Sequence, residues 1–222
     1  MPSRDELSFD LLQNAVDSIL QAIEILVWPD SRSNSSRLKQ ALLSITHGIE
    51  LLLKELLKRI HPCLIWEDVD RFPSIEARTV GLDKALHRLK NIGGLSFSDD
   101  ELGMLRSLKR TRNSIEHYEW KTSSTEARVI AERALSFAIF FSEDQLSYDL
   151  RMHFKRDDTW EELFKKCRAL VSWHEKRIYN ANPNIRKQGL SCIYCGALTI
   201  PPQGGACELC GEHNYPDNDI PF

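Results

Sequence analysis

The sequence of 222 residues lacks any long apolar run. No stretch approaches the roughly 18 to 20 consecutive apolar residues of a membrane span. The first twelve residues, MPSRDELSFDLL, are acidic and amphipathic, whereas a secretory signal has a cationic start followed by an apolar run. We therefore expect a soluble, cytoplasmic protein that does not contact a membrane. A hydrophobic content of 42% is enough for a buried core, so disorder is not expected.

A strong excess of positive charge is also missing. The formal net charge of −3 argues against indiscriminate binding of nucleic acid. The negative charge is concentrated at the C-terminal end, where Lys187 is the only basic residue among four acidic ones, Glu208, Glu212, Asp217 and Asp219. The preceding chain is therefore neutral, and a cationic surface on it can only be a local patch, with the cluster from Arg106 to Arg112 as one candidate.

The sequence between the helical segments shows no alternation of apolar and polar residues, the pattern that is typical of β-strands. Apolar residues recur at three- and four-residue intervals in six segments, which predicts helices over about 5–27, 36–60, 82–91, from Ser98, from Ser123 and over 159–179. Two of these begin with a capping box, Ser98 with Glu101 and Ser123 with Glu126. The fold class expected is all-α, an up-and-down bundle of four to five main helices with an extra helix and a small zinc ribbon.

Composition divides the chain into three parts. Residues 1–150 contain the predicted bundle, and residues 151–186 contain the additional helix and a linker with the turn-rich sequence NANPN, Asn180 to Asn184. Residues 187–222 differ completely in composition and contain most of the cysteines.

Cysteine is scarce except in that last part. Four of the six cysteines form two Cys-x-x-Cys pairs separated by eleven residues, and a glycine follows each pair: Cys192, Cys195, Cys207 and Cys210. Two tight turns that each present two thiolates suit tetrahedral zinc, and four thiolates leave no open position, so we predict a structural Zn²⁺. Two disulfides are the alternative, which an intracellular chain disfavours. Cys63 and Cys167 are isolated and are predicted to be small buried hydrophobes, and His213 is expected at the surface.

The helix that begins at Ser98 ends in a group of cationic and polar side chains. Among them, Arg112 is a permanent cation and His117 is an imidazole, the side-chain type that exchanges protons near neutral pH. Five positions on an ideal helix correspond to about 140° of rotation and about 7.5 Å of rise, so the two side chains would not stack on one face. They converge if the helix ends between them, if both line a groove, or if two copies of the chain share the site. An ordinary surface pair is the alternative.

These residues resemble a known family. The stretch from Arg112 to His117 is similar to the Arg-x-x-x-x-His signature of HEPN domains, with the polar Asn113 after the arginine. The segment from Ile45 to Asp68 also resembles the second helix of that family and the loop after it, and the resemblance extends over about residues 5–148. A common variant has Tyr two positions after the histidine, where this chain has Glu119.

The resemblance implies a dimeric, metal-independent endoribonuclease in which each protomer contributes an arginine and a histidine to one cleft. It implies that His117 acts as general base or acid, that Arg112 stabilises the charge of the transition state, and that Asn113 orients the phosphate or the histidine. Glu50 either positions this pair or simply forms an i, i+4 ion pair with Lys54.

RNA would be cleaved through the ribose 2′-hydroxyl to a 2′,3′-cyclic phosphate, in a toxin or antiphage defence setting. The expected partners are RNA, a second copy of the chain, and an antitoxin or a protein of a defence complex. The alternative is a non-catalytic module that binds RNA or protein, or a subunit of a larger defence assembly. Tyr118 and Trp120 either stack on unpaired bases or close the core.

Overall fold

A computed structural model describes residues 7–28, 30, 32–154 and 157–214. Within these ranges the chain forms eight α-helices, three short 3₁₀ turns and one two-stranded hairpin. The helices are α1 Leu11–Val27, α2 Asn34–Ile60, α3 Leu82–Asn91, α4 Asp99–His117, α5 Ser124–Leu146, α6 Thr159–Lys166, α7 Arg168–Ala181 and α8 Pro183–Gln188. The strands are β1 Gly205–Ala206 and β2 His213–Asn214, which pair antiparallel. The all-α prediction is confirmed, and the ends of the predicted first and last parts, residues 1–6 and 215–222, lie outside the described residues.

The helix α2 is the centre of the bundle, because it packs against α1, α3, α4 and α5. Its apolar stripe is buried as the periodicity predicts, with Ile45, Ile49, Leu52 and Leu53 fully covered. Its closest neighbour is α1, which lies antiparallel to it across a short polar connection. Gly48 lies at this interface, where a Cβ atom would come within 2.7 Å of Ile19 Cγ1.

The first helix is shorter than predicted. It begins at Leu11 because Asp10 forms a capping box with Gln13, in which each side chain accepts a hydrogen bond from the other residue's backbone N–H. Leu7, which the helical spacing had included, is 86% exposed. A polar residue that satisfies the first free N–H groups therefore determines where this helix starts.

The predicted helix over 159–179 is two helices. Cys167 lies between them in a non-helical conformation, and it ends α6 and begins α7. The carboxylate of Glu132, on α5, accepts a hydrogen bond of 2.8 Å from the backbone N–H of Ala169. It also forms an ion pair of 2.7 Å with Arg128. A side chain from a distant helix therefore caps α7, and no local sequence pattern signals the break.

The predicted linker is largely helical. The helix α7 continues to Ala181, and Asn182 caps α8 by accepting hydrogen bonds from the N–H groups of Asn184 and Ile185. Pro183 at the first position of α8 fits, because its missing N–H would have no helical partner there. The chain therefore passes from the bundle to the cysteine-rich part through a tight helix–helix connection.

Across residues 7–28, 30, 32–154 and 157–214, no helix has the length and hydropathy needed to cross a bilayer.

Two glycine-to-alanine changes test the α1–α2 packing. In Gly48→Ala the new methyl group meets Ile19 and also lies 3.1 Å from the Ala15 carbonyl oxygen, so we expect the free energy of unfolding to fall by about 1–3 kcal/mol. The control is Gly103→Ala, at an exposed position in the second turn of α4, where nothing lies within 4 Å of the added Cβ atom. This change should stabilise the protein by about 0.5–1 kcal/mol, because alanine favours the helix. Urea unfolding followed by far-UV circular dichroism measures both free energies of unfolding. A change in the same direction for both variants would contradict the close contact between α1 and α2 at Gly48.

Candidate functional site

The four cysteines of the C-terminal part come together at the ends of two tight turns. In the first turn, the N–H of Gly196 donates to the carbonyl oxygen of Cys192, and in the second, the N–H of Gly211 donates to that of Cys207. Both glycines have positive φ angles, 74° and 78°, which an L side chain rarely adopts. The glycine after each Cys-x-x-Cys pair therefore lets the backbone turn and present both sulfur atoms to the same point.

The four sulfur atoms lie close enough together to bind one metal ion. All four Sγ atoms lie within 4.8 Å of one another and all four residues are buried. The Sγ separations are 3.6 Å between Cys192 and Cys210 and 3.7 Å between Cys195 and Cys207. Metal–sulfur bonds of about 2.3 Å in a tetrahedron place sulfur atoms about 3.8 Å apart. The cluster therefore has the donors and the spacing to hold one metal ion.

Polar groups around the cluster stabilise thiolates. The Thr199 hydroxyl lies 3.1 Å from Cys207 Sγ, and the side-chain amide of Asn214 donates to Cys192 Sγ at 3.4 Å. The pKa of Cys207 is lowered because the thiols of Cys195 and Cys210 donate hydrogen bonds to it, and the pKa values of those two thiols are raised in return. Thr199 and Asn214 are the kind of polar partner that orients the ligands of a metal site.

The cysteine-rich part is packed onto the bundle. The indole N–H of Trp160, on α6, donates to the carbonyl oxygen of Cys210 at 3.1 Å, and this contact is buried. Trp160 is itself stacked on Phe154 and meets Phe164 edge-on. Arg151 lies against Gly211, where it fills the space that a Cβ atom would need. The cysteine cluster and the helical core form one continuous apolar interior.

The other cysteines and His213 do not belong to the cluster. Cys167 is fully buried, as predicted, and burial raises the pKa of its thiol to about 12. Cys63 is only partly buried, with its sulfur 3.0 Å from His61 Nδ1. His213 lies in β2 and is exposed, as expected.

The predicted pair Arg112 and His117 lies at the C-terminal end of α4. His117 is the last helical residue, and the N–H of Tyr118 donates to the carbonyl oxygen of Ser114 to close the helix. Arg112 Nε lies 2.7 Å from Oε2 of Glu116, and His117 Nε2 lies 3.8 Å from the same oxygen atom. One carboxylate oxygen therefore brings the guanidinium and the imidazole together, although their separation along the helix places them on different faces.

Both functional groups are accessible. The side chains of Arg112 and His117 are 41% and 64% exposed. By contrast, His174 is buried, and burial lowers the pKa of its imidazole to about 4, so it is neutral at pH 7 and hydrogen-bonds Ser136. His174 is therefore a core residue, whereas His117 faces solvent beside a cation.

A cleft of about 280 Å³ lies next to Arg112, between α2, α4 and the start of α3. Glu50 lines it from α2, Lys109 and Arg112 line it from α4, and residues 81–84 close its third side. The Glu50 carboxylate lies 2.8 Å from Lys54 Nζ, which is the predicted i, i+4 ion pair. Glu50 and Arg112 therefore face one cleft.

The other residues predicted for the site do not line this cleft. Among the described residues, His117 and Asn113 are not part of the cleft lining, and Asn113 is half-buried on α4. Tyr118 is 79% exposed, whereas Trp120 is half-buried and packs against the core. Tyr118 is therefore free to contact a ligand, and Trp120 mainly closes the bundle.

Glu116 was not identified from the sequence as a member of the site. The signal was present, because Glu116 follows Arg112 by four residues, the spacing at which opposite charges meet on a helix. It is the contact that joins the two predicted residues.

Comparisons with models of protein families, with curated proteins and with solved structures found no match for this chain. What is established is a helical protein with four clustered cysteines that could bind a metal ion.

The cysteine geometry predicts one bound metal ion per chain, measured by elemental analysis of the purified protein. Cys207→Ser should lose the ion, because three thiolates no longer complete the tetrahedron. Cys63→Ser, the matched control outside the cluster, should retain it. Equal metal content in wild type and Cys207→Ser, or loss in Cys63→Ser, would contradict the assignment of the ligands.

Proposed function

We propose that this protein is a metal-independent endoribonuclease of the HEPN type, in which Arg112 and His117 act on a phosphodiester of RNA. The observation that carries the proposal is the shared contact of Arg112 and His117 with Glu116 Oε2, at an exposed helix end. An anionic oxygen held between a guanidinium and an imidazole occupies the place that a phosphate oxygen of RNA would take. The similarity of residues 112–117 to the HEPN signature supports the same reading.

The chemistry requires one base, one acid and one fixed cation. His117 removes the proton from the ribose 2′-hydroxyl, and the 2′-oxygen then attacks the adjacent phosphorus. The bond from phosphorus to the 5′-oxygen breaks, and that oxygen takes a proton from an imidazolium, supplied by the same residue of a second copy of the chain. Arg112 stabilises the added negative charge on the phosphate oxygens. The products are a 2′,3′-cyclic phosphate and a 5′-hydroxyl.

Other residues near the pair would position the substrate. Asn113 follows Arg112 on α4 and would orient the phosphate or the imidazole. Glu50 lines the same cleft as Arg112 and, with Lys54, sets the charge on its α2 side. Exposed Tyr118 offers a ring on which an unpaired base could stack. A homodimer would bring two such ends together, in the setting of a toxin with its antitoxin or of a defence complex.

The second candidate function is a non-catalytic module that binds RNA or protein. The observation that favours it is the same ion pair, since Glu116 neutralises the cation that catalysis needs. An exposed i, i+4 pair contributes only about 0.3–0.5 kcal/mol, however, so a phosphate can displace Glu116 at little cost. This magnitude is why we favour the enzyme.

We also propose that the metal ion is a structural zinc ion. Four thiolates match the preference of zinc for soft ligands and leave no position for a substrate. Two thiolate pairs around Zn²⁺ carry a net charge of about −2, and Arg151, which lies against Gly211, offsets part of it. The ion would hold the C-terminal part in the shape that docks onto Trp160.

Cleavage of a labelled single-stranded RNA by the full chain in EDTA tests the proposed activity. His117→Ala should reduce the rate by at least about 100-fold, because general acid–base catalysis contributes about 10²–10⁴-fold. His87→Ala, which removes an exposed imidazole from α3, should cleave like wild type. The bound metal is measured after incubation, so that loss of the structural ion is detected. If wild type that is folded and retains its metal cleaves no RNA, the enzyme proposal is wrong and the binding module is favoured.

Substitution of Glu116 tests whether a phosphate of RNA replaces the Glu116 carboxylate beside Arg112. Glu116→Gln should bind a non-cleavable, 2′-deoxy-substituted oligonucleotide about twofold more tightly, because Arg112 no longer has an internal partner. Glu119→Gln is the control, since it removes the same charge from a carboxylate that pairs with Lys121 at 2.9 Å. Fluorescence anisotropy at fixed salt measures both affinities. Equal gains in the two variants would mean that only net charge matters.

A further inference from the structure

A second cavity, of about 410 Å³, lies beside the cleft of about 280 Å³ that Arg112 lines, and Asp83 belongs to the walls of both. Both cavities have walls from α3 and α4. These helices run in opposite directions, since the start of α3 faces Arg112 and its end, at Lys90, faces Arg106. We refer to the two cavities together as the α3–α4 seam.

The acidic groups of the seam are already paired with lysines. Lys109, on α4, forms an ion pair with Asp83, on α3. Asp83 is the only acidic residue among the described residues that line the larger cavity. In the smaller cavity, the Glu50 carboxylate lies 2.8 Å from Lys54 Nζ. These carboxylates therefore do little to repel an anion that enters the seam.

Two further cations line the larger cavity, Lys90 in the last turn of α3 and Arg106 on α4, and both are exposed. No acidic residue stands three or four positions from either of them, the spacing at which opposite charges pair on a helix. Positive charge therefore collects in the seam although the whole chain has a net charge of −3. Such a local patch attracts anions that the protein as a whole would repel.

Arg88, between these cations in the sequence, has a different role. Its side chain is buried, and its guanidinium donates to the backbone carbonyl oxygens of Leu64 and Trp66. These bonds fix α3 to the chain that follows α2. Lys90, two positions further along, therefore projects from a helix that is held in place.

The shape of the seam indicates a chain of anions and not a single one. Arg106 and Arg112 are six positions apart on α4, which corresponds to about 9 Å of rise, so the cations extend along the helix. The larger cavity also has apolar walls, formed by Leu86, Phe97 and Leu102. A free phosphate would use one cation and no apolar surface. A positively charged groove with aromatic and apolar surface is how proteins bind single-stranded nucleic acid.

We propose that the α3–α4 seam binds the backbone of a single-stranded RNA and leads the strand to Arg112, with Lys90 and Arg106 binding its phosphates. The inference rests on the proposed RNA substrate, but it concerns where the strand binds and not how it is cleaved. Contacts with phosphates carry no information on sequence, so affinity at the seam should not depend on the order of the bases.

The salt dependence of binding tests the two contacts. Fluorescence anisotropy of the full chain with the labelled, non-cleavable oligonucleotide, at several salt concentrations, gives the slope of log K against log salt. Each phosphate contact with a single strand contributes about −0.7 to this slope. Lys90→Gln combined with Arg106→Gln should therefore make the slope shallower by about 1.4 and weaken binding about tenfold at physiological salt.

The matched control is Arg186→Gln combined with Lys187→Gln, which also removes one arginine and one lysine, from exposed positions of α8. This variant should keep the slope of wild type. Equal changes in the two double variants would mean that only net charge matters, and the proposal would be wrong. Unchanged binding in the seam variant, or failure of folded wild type to bind the oligonucleotide, would also overturn it.

Cleavage kinetics separate this inference from the proposed activity. The seam variant should raise KM about tenfold and leave kcat unchanged, because it loses contacts that substrate and transition state share. His117→Ala should instead lower kcat and bind the oligonucleotide like wild type. If wild type binds through Lys90 and Arg106 but cleaves no RNA, the seam is supported and the nuclease proposal is wrong. If wild type cleaves RNA and the seam variant has the same KM, the seam proposal is wrong and the nuclease remains.

Discussion

The carboxylate of Glu101 connects the main parts of the structure. Its Oε2 atom accepts hydrogen bonds of 2.8 Å from both the backbone N–H and the hydroxyl of Ser98, which fixes the start of α4. Its Oε1 atom pairs with Arg177 of α7 at 2.9 Å, and both side chains are largely buried. Breaking a buried pair of this kind leaves a charge without its partner, which costs far more than the loss of a surface pair. One side chain therefore fixes the start of the helix that carries the proposed catalytic residues and joins that helix to α7.

The cysteine-rich part depends on a second constraint. About 30 residues cannot form a stable unit by hydrophobic burial alone, and the proposed metal ion, held by the four clustered cysteines, would supply the missing free energy. The contact from Trp160 to the Cys210 carbonyl then joins this unit to the bundle. Glu208, which lies between Cys207 and Cys210, lines a cavity together with residues of α5 and α7, so the cysteine-rich part also contacts this side of the bundle.

Local signals in the sequence predicted the parts of the fold that local interactions determine. The capping box at Ser98 and Glu101 placed the start of α4, and the spacing of the cysteines predicted their cluster. Contacts between distant segments were not predictable in this way. The break at Cys167 depends on Glu132, which lies 35 positions earlier in the chain, and the docking of Trp160 depends on a backbone carbonyl. Glu116 lies between Arg112 and His117 in the sequence, but its contact with both side chains could be predicted only once the end of α4 was known.

In the proposed activity, an arginine and a histidine at the end of α4 cleave RNA, and the 2′-hydroxyl of the RNA itself is the nucleophile. The most direct measurement replaces the single nucleotide 5′ of a mapped cleavage site with its 2′-deoxy form and follows cleavage at that bond in EDTA. We expect cleavage to stop at the substituted bond alone, and the unmodified RNA to yield a 2′,3′-cyclic phosphate. Continued cleavage at the deoxy position, or an end with a free 3′-hydroxyl, would contradict it.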